Sequence, residues 1–291
     1  MGKQSESKTE SFSRRKFLGQ TATAGGVVLV GAAANLKGAA QEGSKTGNGA
    51  GVGPAAAAQL RGTMVEYKSG DMMIPAYLSI PKKKSIAPGA VLVIHEVFGL
   101  NDHIKSIADR ISNEGYVALA PNFFVRASDP PPKDATDMAA LRKAASSIPN
   151  EVAIKDMQAG LDYLKTVKSA RPRFASIGFC MGGGFSYQIA THTKDLAGAV
   201  IFYGRTPLEL VPQVSCPLLC SFGSLDTGIP PEQIKAFEDA LKKAGKQADI
   251  KVYEGAKHGF FNNTRPEAYN AEAAADSWQR ALKFFHEHLG K

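Results

Sequence analysis

The chain predicts an α/β fold, a mostly parallel central sheet with helices on both faces. Two observations carry this. Short runs such as AVLVIHE, RFASIGF and CPLLCSFGS are almost continuously apolar, as strands buried on both faces are. These runs alternate with helix-length amphipathic segments, the pattern of strands joined by helical crossovers. A third observation is length. About 230 residues remain beyond the first 60, enough for one large α/β domain.

Taken in order, TMVEYKS and MIPAYLSI alternate polar and apolar residues around Gly70-Asp71 and read as a hairpin at a sheet edge. AVLVIHE (Ala90 to Glu96) reads as a buried parallel strand. Asn101 or Asp102 can cap the helix DHIKSIADRISNEG, which Gly115 stops. YVALAPN is a strand, and the Pro-rich loop SDPPPKD leads to a helix near Ala135 to Ser147. In EVAIKDMQAGLDYLKTV and just beyond it, Met157, Leu161, Leu164 and Lys168 recur at helical spacing. RFASIGF is a strand, followed by a helix from Met181 to His192. LAGAVIFYG and CPLLCSFGS are strands. PEQIKAFEDALKKAG is a helix opened by Pro and closed by Gly. ADIKVYE is the last strand, and a long helix runs from near Tyr269 to Leu289.

Ahead of this domain, SRRKFLG (Ser13 to Gly19) is a twin-arginine pattern, and no charge occurs from Phe17 to Leu36. Small residues follow Lys37. Residues 1–40 therefore read as an export signal for the twin-arginine machinery, cleaved near Ala40 or, alternatively, near Ala34. The apolar run is too weak and too interrupted by Gly and Thr for a stable membrane span. Residues 41–60 are rich in Gly, Ala and Ser and read as a flexible linker, which leaves 61–291 as the folded domain. The expected location is periplasmic or secreted. Half of the formal +8 charge lies in residues 1–40, where six Lys/Arg face two Glu. The remainder is too mild to argue for nucleic acid. Cys216 and Cys220, four apart in a strand, would be about 13 Å apart, too far for a disulfide. They read as small buried hydrophobes. His103 and His192 fit helix surfaces, His286 and His288 face different sides of the last helix, and His95 points opposite to Glu96 in a regular strand. No set has metal-ligand spacing, and no metal or organic cofactor is expected.

In a parallel sheet, ligand groups collect beyond the carboxyl ends of the strands. Four reactive side chains fall there: Glu96, Cys180, Asp226 and His258. Cys180 stands in GFCMGGG, a G-x-C-x-G pattern at a strand-to-helix turn. This is a nucleophile elbow with Cys in the usual place of Ser. The helix start aims N–H groups at the sulfur, which favours the reactive thiolate and can also stabilise an oxyanion. The bland reading is a glycine-rich turn that packs a helix on a strand, with Cys as filler. A dinucleotide loop is disfavoured because the spacing is not G-x-G-x-x-G. Asp226 taken alone could be a turn aspartate, and His258 an ordinary loop histidine. The order nucleophile, acid, histidine is that of the α/β-hydrolase fold.

From about Gly62 to Leu289 the chain resembles the dienelactone hydrolase (carboxymethylenebutenolidase-like) family. The motifs that carry the resemblance are HEVFGLN, GFCMGGG, GSLDTGIP and AKHGFF. The resemblance implies Cys180 as nucleophile, His258 as base and Asp226 as its orienting acid. It implies that Glu96 contacts the resting thiol and governs its activation, and that the N–H groups of Met181 and Val97 form the oxyanion hole. It also implies a carboxylate clamp of two arginines. Arg126 fits one position, the other holds Asn262, and Arg265 lies three residues further on as a substitute. The expected activity is hydrolysis of a carboxylic ester or lactone through an acyl-enzyme, in a monomer. A thioesterase or small-peptide hydrolase on the same fold, and a non-catalytic small-molecule binding protein, are the alternatives.

Overall fold

The computed structural model describes residues 60–82, 87–129, 131 and 136–290. The export signal, nearly all of the linker and part of the SDPPPKD loop lie outside these residues. Leu60 packs on the core, and the Arg61 N–H donates to Asp109 at 2.9 Å.

The sheet has eight strands in the order β1-β2-β4-β3-β5-β6-β7-β8. β1 (Thr63–Ser69) and β2 (Met72–Ser79) form the antiparallel hairpin, turning at Gly70 with φ of 60°. β2 pairs antiparallel with β4 (Val117–Pro121). The remaining pairings are parallel and involve β3 (Ala90–Ile94), β5 (Phe174–Phe179), β6 (Leu196–Phe202), β7 (Leu218–Gly223) and β8 (Ala248–Tyr253). All five residues of β3 are buried, as the unbroken apolar run requires. Ala90, Leu92 and Ile94 face one core and Val91 and Val93 the other.

Each face is covered by its own helices. On one side, α1 (Asp102–Asn113) and α6 (Ala271–Leu289) bury Ile104, Ile107, Ile111, Trp278 and Phe285 against Val91 and Val93. On the other, α3 (Asn150–Thr166), α4 (Met181–His192) and α5 (Pro231–Lys243) bury Met157, Leu161, Ile189 and Phe237. α2 (Met138–Ser146) adds Ala144 to this side. Burying each large aliphatic or aromatic side chain contributes about 1.5–3 kcal/mol, so the two cores carry most of the stability. Asn101 caps α1, its side chain accepting the Ile104 N–H at 3.1 Å, and Asn270 caps α6 in the same way.

Three expectations shift. α3 ends at Thr166, so Lys168 lies beyond it and is exposed; Ala153 and Gly160 complete the buried face with Met157, Leu161 and Leu164. His103 is buried at 8% exposure beside Phe261 and is not a surface residue. Its ring packs under the loop that follows β8. Two short 3-10 helices, Phe123–Arg126 and Leu208–Gln213, had no periodicity long enough to read.

Candidate active site

The turn between β5 and α4 holds Cys180 at φ 55° and ψ −116°, a backbone conformation unusual for a residue with a side chain. Such strain, of order 1–3 kcal/mol, persists only where neighbours enforce it. Here the Cys180 N–H donates to the Phe202 carbonyl at 3.0 Å, and its carbonyl accepts the Gly184 N–H at 3.1 Å. The flanking glycines make the turn possible. A Cβ at Gly178 would sit 1.8 Å from the Gly182 carbonyl oxygen, and one at Gly182 would sit 2.3 Å from the Ile94 oxygen and 2.6 Å from that of His95. The start of α4 thus lies directly on the end of β3.

Asp226 and His258 reach the same rim from the ends of β7 and β8. The Asp226 carboxylate is buried. One oxygen accepts the N–H groups of Gly228 (2.8 Å) and Ile229 (3.2 Å), which leaves the other to face the His258 ring at Nδ1, 2.7 Å away. The remaining ring nitrogen, Nε2, is the one left for Cys180. Burial opposes a charge on His258. Hydrogen bonding to Asp226 and Cys180, and electrostatic attraction toward them, outweigh it and raise its pKa to about 10. The Tyr203 ring packs edge-on against the imidazole at 5.1 Å.

Glu96 lies just past β3 and is buried. One carboxylate oxygen accepts from Asn262 Nδ2 at 2.5 Å and the other from the Tyr203 hydroxyl at 3.4 Å. Burial raises its pKa from 4.5 to about 7, against the hydrogen bonds from Asn262 and Tyr203 and the charges of His258 and Arg265. Between those two values the fold favours the protonated carboxyl, and that preference is lost as pH rises through 7. Glu96→Gln is therefore expected to raise the melting temperature above wild type at pH 8, with the gain shrinking toward pH 4.5. Scanning calorimetry at the two pH values checks this, and an equal gain at both would contradict it.

Three of the expected site residues have partners within the protein. Among the described residues the Glu96 carboxylate accepts from Asn262 Nδ2 and from the Tyr203 hydroxyl, one at each oxygen. Asn262 is fully buried, and its amide is engaged by Glu96 on one side and by Thr264 on the other. Arg126 is engaged as well. Its Nε and one terminal nitrogen clamp the carboxylate of buried Asp156 on α3 at 3.0 and 2.9 Å, and that terminal nitrogen also reaches the Ser69 carbonyl. Arg126→Ala would strand the Asp156 charge and is expected to cost about 3 kcal/mol. Urea titration with steady-state kinetics checks this: stability falls and KM for a neutral ester stays put. A tenfold rise in KM at unchanged stability would restore the substrate-binding reading. Arg265, the possible substitute, lies over the Phe98 ring at 4.9 Å and pairs with Glu267.

Tyr203 was missed from the sequence. Among the described residues it is one of two non-glycine residues with positive φ, at 38°, the other being Cys180. Its hydroxyl is held neutral, far above the usual tyrosine range, by burial and by the charges of Glu96 and Cys180. The available signal was its place at the carboxyl end of LAGAVIF, on the same rim as the other four. Met181 is the first residue of α4, ahead of the intrahelical ladder, so its N–H is free to point outward. Among the described residues, neither it nor the Val97 N–H donates to a backbone carbonyl in the loops and turns. No cluster of three or more potential metal ligands occurs among the described residues.

This arrangement can be set beside known proteins. The chain is 33% identical over 237 residues to a protein assigned as a carboxymethylenebutenolidase in Escherichia coli strain K12, covering 76% of this chain and 85% of that one. It is 34% identical over 257 residues to one so assigned in Saccharolobus solfataricus, covering 75% and 95%. The crystal structure of a protein assigned as a dienelactone hydrolase from Klebsiella pneumoniae superimposes with a TM-score of 0.73 at 28% identity, covering 78% of this chain and 98% of that one. The sequence profile of the dienelactone hydrolase family matches residues 74–289, from β2 to the end of α6 and across every residue of the rim. With an α/β-hydrolase sheet, the elbow and the matching profile in one chain, the protein is a dienelactone hydrolase-like hydrolase and belongs to the dienelactone hydrolase family.

Proposed function

We propose that the protein hydrolyses a carboxylic ester or lactone through a covalent acyl-thioester on Cys180. The observation that carries this is the 2.7 Å Asp226–His258 contact, with the same imidazole acting on Cys180, at the ends of three separate strands. In this reading the Cys180 thiolate attacks the carbonyl carbon, and the N–H groups of Met181 and Val97 receive the oxyanion. His258, charged in the resting site, gives its proton to the leaving alkoxide as the carbon–oxygen bond breaks. Acylation removes the negative charge on sulfur, one of the influences that raise the His258 pKa. The neutral ring then takes a proton from water, the hydroxide attacks the thioester, and acid and thiolate are released. Asp226 holds the ring and its tautomer throughout.

The engagement of Arg126 and Asn262 elsewhere supports a neutral ester or lactone over one that carries a carboxylate. The SRRKFLG pattern supports export by the twin-arginine route and action in the periplasm or outside the cell. A panel of p-nitrophenyl esters, lactones, thioesters and short peptides tests the substrate class. The reading expects the highest kcat/KM among esters and lactones. A tenfold preference for a thioester or peptide would move the activity there. Ligand binding that survives Cys180→Ala, with no turnover of any substrate, would leave a binding protein.

A further inference from the structure

His95 belongs to none of the groups above, yet its ring ties two of the segments that build the rim. It is fully buried at the end of β3, between the rings of Phe123 (5.6 Å) and Phe124 (5.3 Å). The Phe123 N–H, at the end of β4, donates to His95 Nε2 at 3.1 Å. An acceptor nitrogen carries no proton, so in the neutral ring the hydrogen is on Nδ1. That Nδ1 lies 2.6 Å from the Glu96 carbonyl oxygen, which makes it the donor. Burial lowers the His95 pKa to about 4, which keeps the ring neutral and this tautomer in place.

The accepting carbonyl matters because of what shares its plane. The C=O of Glu96 and the N–H of Val97 belong to one rigid peptide unit and point in opposite directions. Fixing the oxygen fixes the aim of the N–H. Among the described residues, the Gly99 N–H also donates to that oxygen, at a longer 3.1 Å across the turn. On its far side, the end of β3 is packed by Gly182, one residue after Met181. The peptide that His95 holds is therefore adjacent to the helix start that carries the second N–H.

We propose that His95 is a positioning residue, whose Nδ1–H holds the Glu96 carbonyl and so aims the Val97 N–H at the oxyanion formed on the substrate. This rests on the covalent reading of Cys180. The histidine acts only through the peptide and does not touch substrate. Without it, the peptide can rock about the Gly99 bond. The N–H then meets the ground-state carbonyl about as well as before but the tetrahedral oxyanion poorly. Misplacement on this scale costs about 10²-fold in rate.

The test uses the full domain with p-nitrophenyl acetate, and with iodoacetamide as a probe of Cys180 whose displacement reaction forms no oxyanion. His95→Phe is expected to lose about 10²-fold in kcat, with KM and the rate of Cys180 alkylation within about threefold of wild type. His95→Gln, whose single amide can accept from Phe123 and donate to Glu96, is expected to recover most of the loss. Long-range proton–nitrogen spectra of labelled wild type should show a proton on His95 Nδ1 and none on Nε2, a result that does not depend on any variant folding. A folded His95→Phe that keeps its kcat, a parallel fall of kcat and alkylation, or a proton on Nε2 would each overturn the inference. Wild-type turnover by Cys180→Ala would instead remove the covalent reading itself, and this inference with it.

Discussion

Cys180→Ala is expected to lower kcat/KM for an activated ester by about 10⁴-fold or more while leaving a folded domain. The size follows from the chemistry. Without sulfur there is no acyl intermediate, and His258 and Asp226 can at best assist a direct attack by water. The fold should survive because the strained backbone at φ 55° is enforced by Phe202, Gly184 and the packing of glycines, none of which involve sulfur. Stopped-flow hydrolysis together with a thermal melt reads both quantities. A variant that stays folded and keeps more than a tenth of the wild-type rate would rule out Cys180 as the nucleophile.

Gly178→Ala is expected to produce the largest loss of stability, about 3 kcal/mol or more, and to disable the site in whatever fraction still folds. The added methyl would meet the Gly182 carbonyl oxygen at 1.8 Å and its carbon at 2.3 Å. Both are backbone atoms at the first turn of α4, so no rotamer can relieve the clash. The helix must move, and the Met181 N–H and the Cys180 sulfur move with it. Gly184→Ala, six residues further along, is the control. Its methyl would find nothing closer than the Arg205 carbonyl at 3.5 Å, an ordinary contact, and alanine suits a helix better than glycine. In a domain of this size 3 kcal/mol corresponds to roughly a 10 °C fall in melting temperature, which calorimetry resolves easily. Near-equal stability of the two variants would show that the elbow is looser than the close approach of its backbones implies.

These two residues also mark where the sequence was most informative. The α/β order, the hairpin at the edge and the position of each major strand were legible because burial on both faces leaves an unbroken apolar run, as in AVLVI and FASIGF. The elbow was legible because close backbone approach admits only glycine, and Gly178 and Gly182 stand at the required spacing. The proximity of Cys180, Asp226 and His258 followed from strand ends sharing a rim. Hydrogen-bond partners were not legible. Nothing local in HEVFGLN tells that Glu96 answers to Asn262, 166 residues away, or that His95 answers to Phe123. The partner of Arg126 was hidden for the same reason. That partner, Asp156, lies on a helix whose buried face was read from apolar residues alone. Tyr203 escaped because an aromatic residue after an apolar strand reads as more core, and only its contacts with His258 and Glu96 set it apart.

The chemical claim that the whole account depends on is an acyl group on one particular sulfur. Rapid acid quench of the enzyme during turnover of a p-nitrophenyl ester, followed by peptide mass spectrometry, tests it most directly. The account predicts the mass of one acyl group on the peptide that contains Cys180, more of it when His258→Ala slows deacylation, and none on Cys216 or Cys220. An ester hydrolysed at full rate with that peptide unmodified in every quench would contradict it.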